Sequence, residues 1–136
     1  MSLAKARHSP EKKPIELWLE ALEGNKYWDN YDTKLRKRSN DSHIVGYEYS
    51  PIGILCDLFL EHSEEAKKLN AHWDLDAFCW NNGKYELKYD IFFPPPVLFW
   101  LGIKENGKII RILIELAKKR TACDHKAAAM LIRSHI

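Results

Sequence analysis

Three groups of residues carry side chains able to do chemistry. The first is Cys56-Asp57. A thiol becomes a nucleophile when a base or a helix N-terminus stabilises its thiolate, and Asp57 can orient a histidine such as His62, His72 or His125 for that purpose. The same cysteine falls in helical step with Ile52 and Phe59, which makes it an inert core thiol. The second group is His72-Trp73-Asp74-Leu75-Asp76. In an extended chain His72, Asp74 and Asp76 project to one side and offer a divalent metal one imidazole and two carboxylates, as in a metal-dependent nuclease. That alternation runs on into Phe78 and Trp80, which belong in a core. The segment must therefore change its facing at a bulge, line a pocket, or form a loop.

The third group is Trp28 and Tyr31, followed by Lys34, Arg36, Lys37 and Arg38. Cations interleaved with aromatic faces hold nucleotides and single-stranded nucleic acid by charge and stacking. As an exposed patch, these four cations can be replaced with little change in thermal stability. Trp28 sits in a polar context, whereas Trp18, Trp73, Trp80 and Trp100 have apolar neighbours and read as core or rim. The chain has no G-x-x-x-x-G-K-[ST] loop, no G-x-G-x-x-G, no H-E-x-x-H, no C-x-x-C and no G-x-S-x-G. An NTPase, a dinucleotide enzyme, a zinc protease and a thioredoxin-like protein are disfavoured. No cofactor is expected.

The elements that must position these groups are marked by caps and turns. Pro14 suits a first helical turn, Ile15, Leu17, Trp18, Ala21 and Leu22 follow at helical spacing, and Gly24 is placed for a left-handed cap. Residues 43–49, with Ile44-Val45, fit a short strand. Ser50-Pro51 starts a deeply buried helix through Ile52, Ile54, Leu55, Cys56, Leu58 and Phe59, and Ser63 caps a short helix from Glu64 to Leu69. Asn82-Gly83 predicts a two-residue hairpin turn that pairs Trp80 with Tyr85, Cys79 with Glu86 and Phe78 with Leu87. Phe78, Trp80, Tyr85 and Leu87 then share the buried face.

After Pro94-Pro95-Pro96, a short helix from Val97 to Leu101 ends at Gly102. An apolar helix with Ile109, Ile112, Leu113, Leu116 and Ala117 on one side closes on Lys118-Lys119-Arg120, which complement its dipole. Asp124 can cap a final helix from His125 to about Ser134, with Ala127, Ala128, Leu131 and Ile132 inward. The fold class is α+β, a helix-dominated single domain packed around a small antiparallel hairpin or sheet. Residues 1–13 form a flexible basic arm and residues 14–136 the globular domain.

The bulk figures bound this reading. A chain of 136 residues, 46% apolar and 12% aromatic, can bury one core, and six Gly with six Pro exclude collagen-like and wholly disordered chains. No apolar run approaches the roughly 20 residues of a membrane span, and no signal-peptide pattern opens the chain. The three cysteines, Cys56, Cys79 and Cys123, are widely spaced and odd in number, which favours reduced thiols in a cytoplasm. Net charge is +2, divided as +3 over residues 1–13, zero over 14–38, −6 over 39–103 and +5 over 104–136. Such an alternation lacks the uniform basic footprint of a duplex-DNA binder.

Three stretches resemble one family of small uncharacterised proteins of bacteria and tailed phages. Residues Trp18 to Tyr27 are similar to its W-x-x-A-L-x-x-G-x-Y opening, and Ile52-Gly53-Ile54-Leu55-Cys56-Asp57-Leu58 to its L-G-V-L-C-D-L. Pro95-Pro96-Val97-Leu98-Phe99-Trp100-Leu101-Gly102-Ile103 resembles its P-P-x-V-x-x-W-x-G-L. The family often has two cysteines before its L-G, where this chain has Ser50-Pro51, so a redox or metal role for that pair does not carry over. An Asn-Asp pair before the family's last helix corresponds here to Cys123-Asp124. The resemblance implies a phage or mobile-element protein, with host interaction or counter-defence as its role, and transfers no functional residue.

Every marked motif works as architecture. The expected function is therefore a non-enzymatic binding or interaction module whose partner is a protein surface or a nucleotide. Trp28, Tyr31, Lys34, Arg36, Lys37 and Arg38 are its candidate surface. The alternatives are a small cysteine-dependent hydrolase or transferase using Cys56 and Asp57, and a metal-dependent nuclease using His72, Asp74 and Asp76.

Overall fold

Proline and serine set the helix starts. A computed structural model describes residues 12–24, 26–29, 34–39, 46–90, 93–102 and 125–134. Helix α1 (Pro14–Glu23) opens on proline, and the backbone N–H of Lys13 donates to Glu16 Oε1 at 3.0 Å. Lys12, two residues before Pro14, pairs with Glu20. Gly24 departs from the expected left-handed cap: its φ is −86° and its ψ −177°. Its N–H still reaches Glu20 O at 2.9 Å, but the chain leaves extended, toward the first strand, instead of turning back.

Helix α2 (Pro51–His62) has the predicted serine cap, with Ser50 Oγ accepting from Gly53 N at 3.0 Å. The same hydroxyl donates to Leu35 O, also at 3.0 Å. Ser63 joins α2 to helix α3 (Glu64–Lys68), accepting from Glu65 N. Helix α4 (Pro95–Leu101) ends at Gly102, whose φ of +82° is the left-handed form glycine tolerates. Helix α5 (His125–Arg133) buries His125, Ala128, Ala129 and Ile132. Ala127, expected inward, is exposed and Ala129 takes its place, a rotation of the buried stripe toward α1. The expected helix over residues 109–120 and the Asp124 cap lie outside the described residues, as do Ile44-Val45 and Cys123.

The strands form two small three-stranded sheets. In the first, β1 (Trp28–Asp29) runs parallel to β3 (Tyr47–Tyr49), and β2 (Arg36–Arg38) pairs antiparallel on the other side of β3. In the second, β4 (His72–Asp74), β5 (Ala77–Asn81) and β6 (Glu86–Tyr89) form an antiparallel meander. The predicted hairpin exists, but its register is two residues off. Trp80 pairs with Leu87 and Phe78 with Tyr89, and Tyr85 lies exposed in a four-residue loop. The two asparagines are responsible. Asn82 Oδ1 accepts from Lys84 N and Tyr85 N, and Asn81 Oδ1 from Gly83 N, so side chains supply bonds that a two-residue turn would take from backbone. A shift of two keeps the pleat, and Phe78, Trp80 and Leu87 remain on one face.

Helices α1, α2 and α4 pack on one another and α5 packs on α1, a single compact α+β domain. Trp18, Leu22, Leu35, Ile54, Leu55, Phe59, Phe78, Val97 and Ile132 fill its core. No helix among the described residues is long and apolar enough to cross a membrane.

Candidate functional site

Leu35 is the pivot between the two sheets. Its N–H donates to Asp90 O at 2.8 Å, just past β6, and its carbonyl accepts from Ser50 N at 3.0 Å. Gly53 on α2 lies so close that a Cβ there would stand 1.8 Å from Leu35 O. The glycine of the central motif thus exists to admit backbone. Flanking Leu35, the cations of the expected patch turn inward. Lys34 Nζ meets Asp76 Oδ2 at 3.1 Å. The Arg36 guanidinium lies 3.7 Å from the Tyr47 ring centre and 4.4 Å from that of Trp73, a cation held over two aromatic faces. Its Nε donates to Leu75 O at 2.7 Å. Lys34 and Arg36 thereby join the first sheet to the second, so the expectation of a freely removable patch does not describe them. Arg38 is exposed, Lys37 is half-buried, and Tyr31 lies outside the described residues.

Cys56 has no exposed surface. Burial pushes its thiol well above the ordinary value, and the neighbouring Asp57 charge pushes it further. Among the described residues Asp57 orients no histidine: its carboxylate accepts from Tyr27 Oη at 2.7 Å and Trp73 Nε1 at 3.1 Å. Burial, then this bond, raises the Tyr27 phenol. The three histidines that sequence offered to Cys56 are engaged elsewhere. His62 faces Glu61, His72 Nδ1 faces Asn70 O, and His125 faces Asp29 and Tyr49 O.

The acidic metal set is also separated. Leu75 and Asp76 form a tight turn between β4 and β5, with Leu75 at φ +57°. This turn is the change of facing that the sequence demanded. It sends His72 and Asp74 to the outer face while Phe78 and Trp80 face the core. Asp74 pairs with Lys88 at 2.8 Å and Asp76 with Lys34, so the two carboxylates do not converge with His72. A different trio does meet on the outer face. His72, Cys79 and Glu86 each place one donor atom within 4.8 Å of the other two.

A cleft of about 480 Å³ opens where β1 meets the start of α5, lined by Leu22, Gly24, Tyr27, Trp28, Asp29, His125 and Lys126. Its floor is fixed by a buried histidine: His125 Nδ1 lies 2.7 Å from Asp29 Oδ1, and Nε2 lies 2.7 Å from Tyr49 O. Its wall is Trp28, 47% exposed. A Cβ on Gly46 would stand 3.6 Å from Trp28 Cζ3, so one edge of the indole rests on backbone. Lys126 is exposed at the rim.

Neither family models, curated proteins nor solved structures give a counterpart to this chain. The site must be read from its own geometry. Of the expected surface residues that are described, only Trp28 lines the cleft. Sequence reasoning missed Asp29 and Lys126 and considered His125 only as a helper for Cys56. Asp29 and His125 lie 96 positions apart, and no local spacing announces that meeting.

Proposed function

We propose that this chain is a non-enzymatic binding module and that the cleft beside Trp28 takes a nucleotide. The observation that carries the reading is the half-exposed indole on the wall of a cleft whose rim bears Lys126. A base can stack on such a ring while the ammonium meets a phosphate. A volume of about 480 Å³ lies within the range of small-molecule sites, and a concave wall suits a nucleotide better than a flat protein surface. The cysteine-enzyme alternative is weakened by the packing of Cys56, and the His72-Asp74-Asp76 nuclease by the lysines that occupy both aspartates. The number and spacing of the cysteines support a cytoplasmic setting, and the motif resemblance supports a phage or mobile-element protein acting in host interaction or counter-defence; both belong to the same proposal.

The test is a fluorescence titration with adenosine and guanosine 5′-monophosphates. Saturable quenching is expected in the parent chain, with affinity reduced at least about tenfold in Trp28→Ala and more modestly in Lys126→Ala. Trp28→Ala should leave the unfolding midpoint nearly unchanged, because an exposed ring contributes little to the core. Equal binding by Trp28→Ala and the parent would refute the assignment, as would the absence of any quenching.

A further inference from the structure

We propose that His72, Cys79 and Glu86 form a zinc site on the outer face of the second sheet. Cross-strand geometry brings them together. His72 and Cys79 are directly paired between β4 and β5, and Glu86 on β6 lies diagonally across from Cys79, a separation that a long side chain spans. The three donor atoms, an imidazole nitrogen, a sulfur and a carboxylate oxygen, lie within 4.8 Å of one another. His72 and Glu86 are both partly exposed, which leaves their side chains room to close on a tetrahedral ion.

The imidazole is already turned for this role. Its Nδ1 lies 2.8 Å from Asn70 O, so when that nitrogen carries the proton it donates there and Nε2 is left with its lone pair. Nε2 then faces Glu86 Oε2 at 3.9 Å. Two electron-pair donors pointed at one another beside a sulfur are reconciled by a cation between them. The backbone carbonyl supplies the outer contact that orients metal-binding histidines.

The neighbouring charges do not oppose this. Lys88, directly across from Cys79, is paired with Asp74 at 2.8 Å, so its charge is matched by a carboxylate outside the trio. The donor types select the metal: sulfur and imidazole favour zinc over magnesium or calcium, and three protein ligands leave a fourth position for water or an external donor. Sequence spacing pointed to His72 with two aspartates, and the fold retains only the histidine.

Cobalt substitution tests the site in the untagged full chain. One Co²⁺ per chain is expected, with a thiolate-to-cobalt charge-transfer band in the near ultraviolet and the visible bands of four-coordinate cobalt, all displaced by Zn²⁺. Cys79→Ser should abolish the charge-transfer band. His72→Gln and Glu86→Gln, at positions where folding is not at stake, should each weaken Zn²⁺ binding at least about tenfold in competition with a chelator. The proposal is overturned if stoichiometric cobalt gives no thiolate band, or if the band survives in a folded Cys79→Ser. Zinc affinity unchanged in both His72→Gln and Glu86→Gln overturns it as well.

Discussion

Cys56 and Cys79 have the same solvent exposure, none, and opposite surroundings. Cys56 sits on α2 among Ile52, Leu55 and Phe59, beneath a layer of helices. Cys79 sits on the central strand of the second sheet, on the face that carries His72 and Asp74 of β4 and Glu86 and Lys88 of β6. Burial raises both thiols. The strongest charge effect then acts in opposite senses, since Asp57 raises Cys56 further while Lys88 lowers Cys79 against smaller upward pushes from Glu86 and Asp74. Burial by itself therefore does not say whether a cysteine is scaffold or ligand. What surrounds it does: apolar side chains seal one, and groups able to bind a cation flank the other.

The largest effect that can break this contrast is expected at Gly53. Three residues before Cys56, α2 meets the Leu35 backbone directly, and a methyl group on Gly53 has no place beside the Leu35 carbonyl. Gly53→Ala should lower unfolding free energy by about 3 kcal/mol, from overpacking and from strain on the Ser50–Leu35 bonds. A urea titration reads this. A loss below about 1 kcal/mol would mean that α2 and Leu35 are not in contact, and the scaffold reading of the motif would fail.

A much smaller effect is expected on the outer face. The Lys88 ammonium, by its hydrogen bond and then its charge, holds the Asp74 carboxyl below the usual range. A depressed folded value means that the pair stabilises the protein above the ordinary carboxylate range. That contribution is lost as pH falls through the depressed value. Asp74→Asn should therefore unfold at slightly lower urea than the parent near neutral pH, and the two should converge in acid. Both groups are exposed, so added salt should shrink the difference. A large, salt-insensitive difference would show that the outer face is packed like the inner one.

These contrasts also explain what the sequence made legible. Ser50-Pro51, Ser63 and Gly102 are local signals, acting within one turn of helix, and each does what its spacing predicts. The inward face of α2 is equally local, because periodicity alone defines it. The hairpin was half legible: Asn82-Gly83 gives a turn, but whether the asparagine side chains or the backbone close it depends on a competition that dipeptide preference does not resolve. The Leu75-Asp76 turn was hidden because leucine seldom adopts positive φ.

The sites were least legible. Arg36 reads as a surface cation until Tyr47 and Trp73 are brought to its two faces, and His125 meets Asp29 and Tyr49 only through the tertiary fold. His72, Cys79 and Glu86 are evenly spaced in sequence, seven residues apart, which carries no ligand signature. Strand pairing alone makes them neighbours.

The central claim, that the Cys56 motif is scaffold and that chemistry belongs to the surface, is tested most directly by timing the alkylation of each cysteine in the native protein. With iodoacetamide and site-resolved mass spectrometry, Cys56 should label no faster than the whole domain unfolds, its rate rising steeply with urea. Cys79 should label sooner, through movement of the polar side chains that share its face. Rapid labelling of Cys56 in native buffer, with an apparent pKa well below about 8.5, would contradict the account and restore that thiol as a candidate nucleophile.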